Sequence, residues 1–278
     1  MYLKIRMPAL TLSTDIGQSD YLAGAIKGQL ISAVPGCTIA DITHQLSPLN
    51  YQQSAYICRN AFKYFPPGTF HIVLINFFER TPENILITTL NGQYIICPDN
   101  GILTMIAGSK PNNIFAIGAP ANGNATLLQC TEKIAETIQQ IMNGASLQSV
   151  ANSITGIDEK YPMRSTSGPD WIESQIIFID NFENVVVNLT NEEFEELRKN
   201  RRFRIMLMRN SEFIEKISAH YASVQPGENM AWFNSAGYLE IAINKGNVAG
   251  LFGLQGYTEN TPAMQNRLLY QTVRILFY

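Results

Sequence analysis

The 278 residues are 46% hydrophobic and 15% charged, a balance that supplies a large core and excludes a disordered chain. A formal charge of −3 with no long Lys/Arg tract gives no electrostatic basis for nucleic-acid binding. Arg198, Lys199, Arg201, Arg202 and Arg204 cluster, but Glu192, Glu193, Glu195 and Glu196 precede them, the pattern of a helix and its surroundings in solvent.

Strand-like and helix-like segments alternate through the first half. Leu10 to Thr14 reads as a strand, Asp20 to Ala33 as a helix stopped by Pro35-Gly36, and Thr38 to Ile42 as a strand. Ser54 to Phe62 reads as a helix and Thr69 to Ile75 as a strand; Ile85 to Thr89 and Gln93 to Cys97 form a hairpin signalled by Asn91-Gly92. Thr131 to Met142 carries apolar residues at 134, 138, 141 and 142, one helix face, and stops at Asn143-Gly144. This order predicts an α/β domain with a largely parallel sheet over residues 1–152.

Periodicity disappears over 153–170, where Gly156, Pro162, Gly168 and Pro169 mark a linker. The remainder, 171–278, is mainly β: Gln175 to Asp180, Val185 to Leu189, Phe203 to Met208, Met230 to Phe233, Tyr238 to Ile243 and Thr272 to Phe277, with Asn234-Ser235-Ala236-Gly237 as a turn. A second, smaller β domain is expected.

Cys37, Cys58, Cys97 and Cys130 form no C-x-x-C pair and have no His at ligand spacing, so free core thiols are expected rather than disulfides or a metal site. The N-terminus lacks the apolar region and cleavage site of a secretory signal, and no apolar run approaches the roughly 18 residues of a membrane span. A cytoplasmic protein without a membrane partner is expected.

Three apolar strands run into polar loops that carry a carboxylate. Leu10 to Thr14 leads into Asp15 and Asp20, Tyr94 to Cys97 into Pro98-Asp99-Asn100-Gly101, and Ile176 to Ile179 into Asp180-Asn181-Phe182-Glu183-Asn184. Strand ends that open onto loops can gather carboxylates and amides around one polar small molecule. Taken singly, each carboxylate also fits a helix cap or turn, Phe182 a core residue, Asp41 and His44 structural roles, and Lys27 a solvated helix position.

Taken together and in order, several segments resemble the S-adenosylmethionine hydroxide adenosyltransferases, whose relatives include fluorinating and chlorinating enzymes. The matching pieces are Ser13-Thr14-Asp15-Ile16-Gly17, Lys27-Gly28, Ile39-Ala40-Asp41-Ile42-Thr43-His44 with Pro48, Phe65-Pro66-Pro67-Gly68-Thr69, Pro98 to Thr104, Ile179 to Asn184 and Asn234 to Ala242. The resemblance implies a three-layer α/β N-terminal domain, a smaller β-barrel-like C-terminal domain, and a homotrimer with nucleoside sites between subunits. It implies displacement of methionine from the C5′ carbon by water or halide, with S-adenosylmethionine as substrate and neither metal nor cofactor. By the same resemblance Asp15 accepts from the ribose hydroxyls, Asp20 and Asp180 lie near the methionine ammonium, and Phe182 packs on adenine. Asn184 and the backbone of Ala242 to Asn244 would read the base edge, and Ser235, beside Asn234, would meet the methionine carboxylate.

The resemblance breaks at the catalytic loop. Family hydrolases carry Asp-Pro-Gly-Val-Gly-Thr after the strand corresponding to Ile72 to Ile75, then an Arg, and a His before the helix corresponding to Thr131 to Met142. Here Asn76 stands for the Asp, Glu83 falls at the Arg and Gln129 near the His, while Phe77 and Phe78 replace flexible glycine. An amide cannot deprotonate water, Glu reverses the charge, and Gln cannot shuttle a proton near neutral pH. The expectation is an adenosyl-compound binding protein with weak or absent hydrolysis; the alternative is an active hydrolase or adenosyltransferase with residual groups or a replacement nucleophile at Asn76, Arg80 or Gln129, where Arg80 with Glu79 would rebuild a polar pair. A differently specialised nucleoside enzyme is a third reading.

Overall fold

A computed structural model of the protein describes residues 8–77, 82–118, 125–207, 212–254 and 271–278. They form two compact units, residues 1–162 and 163–278.

The first unit runs β1 (Ala9–Thr14), α1 (Leu22–Ala33), β2 (Thr38–Thr43), α2 (Tyr51–Phe62), β3 (Phe70–Leu74), β4 (Asn84–Leu90), β5 (Gln93–Pro98), α3 (Ile102–Ala107), β6 (Ile114–Gly118), α4 (Leu127–Met142), α5 (Leu147–Val150) and β7 (Asn152–Ser153). Its sheet has the order β2-β1-β3-β5-β4-β6-β7. The first four of these strands are mutually parallel, and the rest add antiparallel pairs at one side.

Side-chain alternation along the strands builds three layers. Leu10, Leu12, Ile72 and Leu74 pack with Ile26 and Leu30 of α1 and Ile134 and Ile138 of α4. Val73, Ile75, Ile95 and Cys97 pack with Cys58 and Phe62 of α2 and Ile102 and Met105 of α3 on the other face. Between β4 and β5, Asn91 and Gly92 both have positive φ, 52° and 76°, as a two-residue type I′ hairpin requires.

Two helices begin earlier than their apolar spacing predicts, and capping is the reason in both. Asn50 accepts from the Gln53 N–H, so α2 starts at Tyr51 instead of Ser54. Thr126 and Gln129 form a reciprocal capping box that starts α4 at Leu127, not Thr131.

The second unit runs β8 (Thr166–Ser167), β9 (Trp171–Ile179), β10 (Val185–Thr190), α6 (Asn191–Arg198), β11 (Phe203–Met206), β12 (Phe213–Ile214), β13 (Asn229–Phe233), β14 (Tyr238–Ile243), α7 (Val248–Leu251) and β15 (Thr272–Phe277). Its sheet, ordered β12-β11-β15-β9-β10-β14-β13 with β8 on β9, is antiparallel throughout. It curls into a nearly closed barrel-like form around Phe194, Phe203, Ile241 and Phe277, and Ile217 bridges to Ala231 of β13. The basic cluster serves this unit: Arg198 pairs with Glu195 at 3.1 Å and Arg204 with Glu215 at 2.7 Å. Met208, the predicted end of β11, lies outside the described residues.

All four cysteines are free thiols, three of them buried. Among the described residues no helix is long and apolar enough to cross a membrane.

His71 of β3 is 0% exposed, stacks on Phe62 at 3.7 Å between ring centroids and shares a 2.8 Å hydrogen bond between its Nδ1 and Thr11 Oγ1. Burial lowers its pKa from 6.5 to about 4. The unfolded chain therefore binds more protons than the folded one in that window, and stability falls as pH drops from 6.5 toward 4. Denaturant titrations of the wild type and of His71→Phe, which keeps the ring stack, should differ in their acid limbs. The histidine contribution, on the order of 3 kcal/mol at full protonation, should be missing from the variant.

Candidate functional site

Parallel pairing brings the carboxyl ends of β1, β2, β3 and β5 to one edge, and the first unit's polar residues gather there. Asp15 follows β1; its Oδ2 accepts a 2.7 Å hydrogen bond from the backbone N–H of Asn76, which follows β3. Asn76 has φ of 60°, in the left-handed region that Asn enters more readily than most side chains. Its Nδ2 lies 3.4 Å from the Tyr51 hydroxyl, and its buried Oδ1 has no hydrogen-bond partner among the described residues.

A pocket of about 330 Å³ opens beside Asn76, lined among others by Tyr51, Glu83, Asp99, Asp158 and Lys160. That volume is at the lower end of the range for small-molecule sites. The Lys160 ammonium stands 3.9 Å from the centroid of the Tyr51 ring, a cation–π contact. Desolvation lowers its pKa, against an opposing pull from Asp158; desolvation likewise raises Asp99, whose Oδ1 accepts from the Asp158 N–H at 2.8 Å.

Lys160 reaches this place because its backbone is tied to Thr104 of α3 by two hydrogen bonds, 2.6 and 2.9 Å. Gly101 permits the approach: with φ of 93°, a Cβ there would lie 2.6 Å from Lys160 Cγ. Asn100 holds the turn, donating to the Ile75 carbonyl at 3.0 Å.

In the second unit the predicted residues form a separate hydrogen-bonded cluster. Asp180 Oδ1 accepts from the backbone N–H groups of Phe182 and Asn184, at 2.9 and 2.8 Å, and Oδ2 accepts from Asn184 Nδ2 at 2.9 Å. Glu240, in the middle of β14 and 6% exposed, joins this loop to the following turn. It accepts from Asn184 Nδ2 at 3.4 Å and from Asn234 Nδ2 at 3.1 Å, while Asn234 Oδ1 accepts from Ala236 and Tyr238 N–H. Burial, foremost, raises the Glu240 carboxyl above its ordinary range, opposed by the hydrogen bond from Asn234. The Phe182 ring is 74% exposed, and Ser235 is exposed on its turn.

Thus the first unit brings Asp15 and Asn76 together, with Glu83 lining the pocket beside Asn76, and the second unit brings Asp180, Asn184 and Asn234 together. Asp20 is exposed and caps the Tyr21 N–H. Gln129 lies in the first turn of α4 with its Oε1 accepting from the Thr126 N–H at 2.9 Å, a folding role. Arg80, with Glu79 and Phe78, lies outside the described residues. Sequence reading missed Tyr51, Asp158, Lys160 and Glu240.

Models of the SAM hydroxide adenosyltransferase N-terminal and C-terminal domains match residues 10–151 and 174–259. The chain belongs to this family. It is 27% identical over 193 residues to an (R)-S-adenosyl-L-methionine hydrolase of Methanocaldococcus jannaschii, covering 66% of this chain and 68% of the relative. It is 22% identical to the protein of that name from Thermus thermophilus, over 87% and 94% of the two chains, and 23% identical to a fluorinase of an Actinoplanes species, over 89% and 95%. An uncharacterized conserved protein from Thermotoga maritima shares the fold with TM-score 0.78 at 22% identity, over 96% of this chain and 99% of its own.

The shape of the Glu240 cluster gives a direct test. Asn184 and Asn234 each point an N–H at this carboxylate and are fixed in that sense by other bonds, so both need an acceptor. Glu240→Gln offers one acceptor and one donor, so one of the two asparagine N–H groups aimed at this side chain loses its acceptor. Urea denaturation of the variant should show a loss of about 1–3 kcal/mol despite the near-identical shape; an unchanged midpoint would show that the cluster holds nothing together.

Proposed function

We propose that the protein binds an adenosyl compound, S-adenosylmethionine or adenosine, and that its hydrolysis of S-adenosylmethionine is slow. The observation that carries the reading is the pairing of Asp15 with Asn76. The carboxylate matched to ribose recognition is retained and held at the edge of the parallel sheet. The neighbouring group that would orient or deprotonate water is an amide. Glu83 brings negative charge where the family pattern has an Arg, and Gln129 spends its side chain on the α4 cap. Asp180, Asn184, Asn234 and Ser235 are the proposed contacts of the second unit, and the exposed Phe182 ring is the proposed stacking surface.

One observation favours an active enzyme instead: Lys160 lines the same pocket as Asn76 and Glu83. In that reading Lys160 supplies the cation that position 83 lacks. A cytoplasmic location stays part of the proposal as the default reading, and a homotrimer with shared sites is carried over from the family.

Incubation with S-adenosylmethionine, with adenosine followed by chromatography and binding by calorimetry, separates the readings. Binding is expected, with release of adenosine roughly 10²-fold or more below that of hydrolases with the intact acid–base set. Asp15→Ala should weaken binding by about 1–3 kcal/mol, since the ribose hydroxyls lose their acceptor. Rapid turnover abolished by Lys160→Met would select the active-enzyme reading; binding of neither ligand at millimolar concentration would reject both.

For assembly, light scattering on the full chain should report a trimer. A monomer that still binds adenosine tightly would refute shared sites.

A further inference from the structure

Behind Asp15 runs a line of polar side chains that the adenosyl-binding reading leaves unused. Thr14 Oγ1 lies 2.9 Å from His44 Nδ1, His44 Nε2 lies 3.4 Å from Asp41 Oδ1, and Lys27 Nζ lies 2.5 Å from Asp41 Oδ2. His44 is 2% exposed. Its backbone joins in: the His44 carbonyl accepts from the Gly17 N–H at 2.7 Å, and the Leu46 N–H donates to the Thr14 carbonyl at 2.9 Å. Asp15 and Ile16 are therefore bracketed, with both flanking residues fixed to the segment after β2.

The line has a direction. The Asp41 carboxylate, 3.4 Å from Nε2 but not hydrogen-bonded to it, favours the tautomer with its hydrogen on Nε2, since the opposite one would set a lone pair against it. Nδ1 is then the acceptor of the Thr14 hydroxyl, whose oxygen also lies 3.4 Å from the Ile16 N–H. The order Asp, His, Thr is that of a nucleophile relay, but Thr14 is 0% exposed and no substrate can reach its oxygen.

We propose that His44 is a positioning residue: through Thr14 and Gly17 it fixes the loop that aims the Asp15 carboxylate. The ligand-binding part of this inference rests on the adenosyl reading; the geometric part does not.

Two substitutions separate the hydrogen bond at Nδ1 from the charge contact at Nε2. His44→Asn places a carbonyl oxygen where Nδ1 stands and keeps an acceptor for the Thr14 hydroxyl; His44→Gln reaches toward Asp41 and leaves Thr14 without one. Thr14→Val removes the same bond from the other side with little change of shape, and takes the acceptor of the Ile16 N–H with it. In the full chain without ligand, amide hydrogen exchange at Gly17 and Asn76 should quicken by about tenfold in His44→Gln and Thr14→Val and stay near wild type in His44→Asn. Calorimetry with adenosine should follow the same order, with about tenfold weaker binding in the first two and near wild-type binding in the third. Equal behaviour of the Asn and Gln variants, or binding unchanged in Thr14→Val, would overturn the proposal. Failure of the wild type to bind adenosine would defeat the adenosyl reading, and the exchange pattern would still decide the role of His44.

Discussion

Parallel pairing of β1 with β2 and β3, and of β3 with β5, is the constraint on which the first unit's site depends. Antiparallel neighbours would send alternate strand ends to opposite edges. Here the residues that follow each strand come to the same edge, so Asp15, His44, Asn76 and Asp99 gather there although the outermost are 84 positions apart in the chain. The buried faces of Leu10, Leu12, Ile72 and Leu74 fix the register, since a one-residue slip would turn them away from α1 and α4. Core packing thus determines which polar groups meet.

The second unit solves the same problem by different means. Its strands alternate in direction, and the polar cluster forms where the β9–β10 loop and the β13–β14 turn come to one end. A buried carboxylate on the intervening strand, Glu240, holds the two together. Burying that charge costs free energy, and the amide donors of Asn184 and Asn234 offset part of it. Asp180, by contrast, is satisfied within its own loop by Phe182 and Asn184.

Much of this architecture was legible from local pattern. The strand-like composition of Leu10 to Thr14 and Tyr238 to Ile243, the Asn91-Gly92 turn and the Asn143-Gly144 stop each express a short-range rule that tertiary packing did not override. The start of α4 was also written locally, in Thr126-x-x-Gln129, but the apolar face begins later and drew the boundary with it. Lys160 and Asp158 could not be read: their segment has linker composition, and its place is set by bonds to Thr104 and Asp99, more than fifty residues away. Glu240 was hidden for another reason. Within a strand buried on both faces, alternation no longer distinguishes a solvated charge from an interior one.

The capping box at α4 has a consequence for any substitution at position 129. Gln129 accepts from the Thr126 N–H while its own backbone N–H donates to the Thr126 hydroxyl, so this one side chain helps define where the helix begins. A side chain of different length and acceptor geometry, such as an imidazole, would lose that cap at a cost of roughly 0.5–2 kcal/mol. Whatever residue occupies this position is therefore tested twice, once for its chemistry and once for how well it starts a helix.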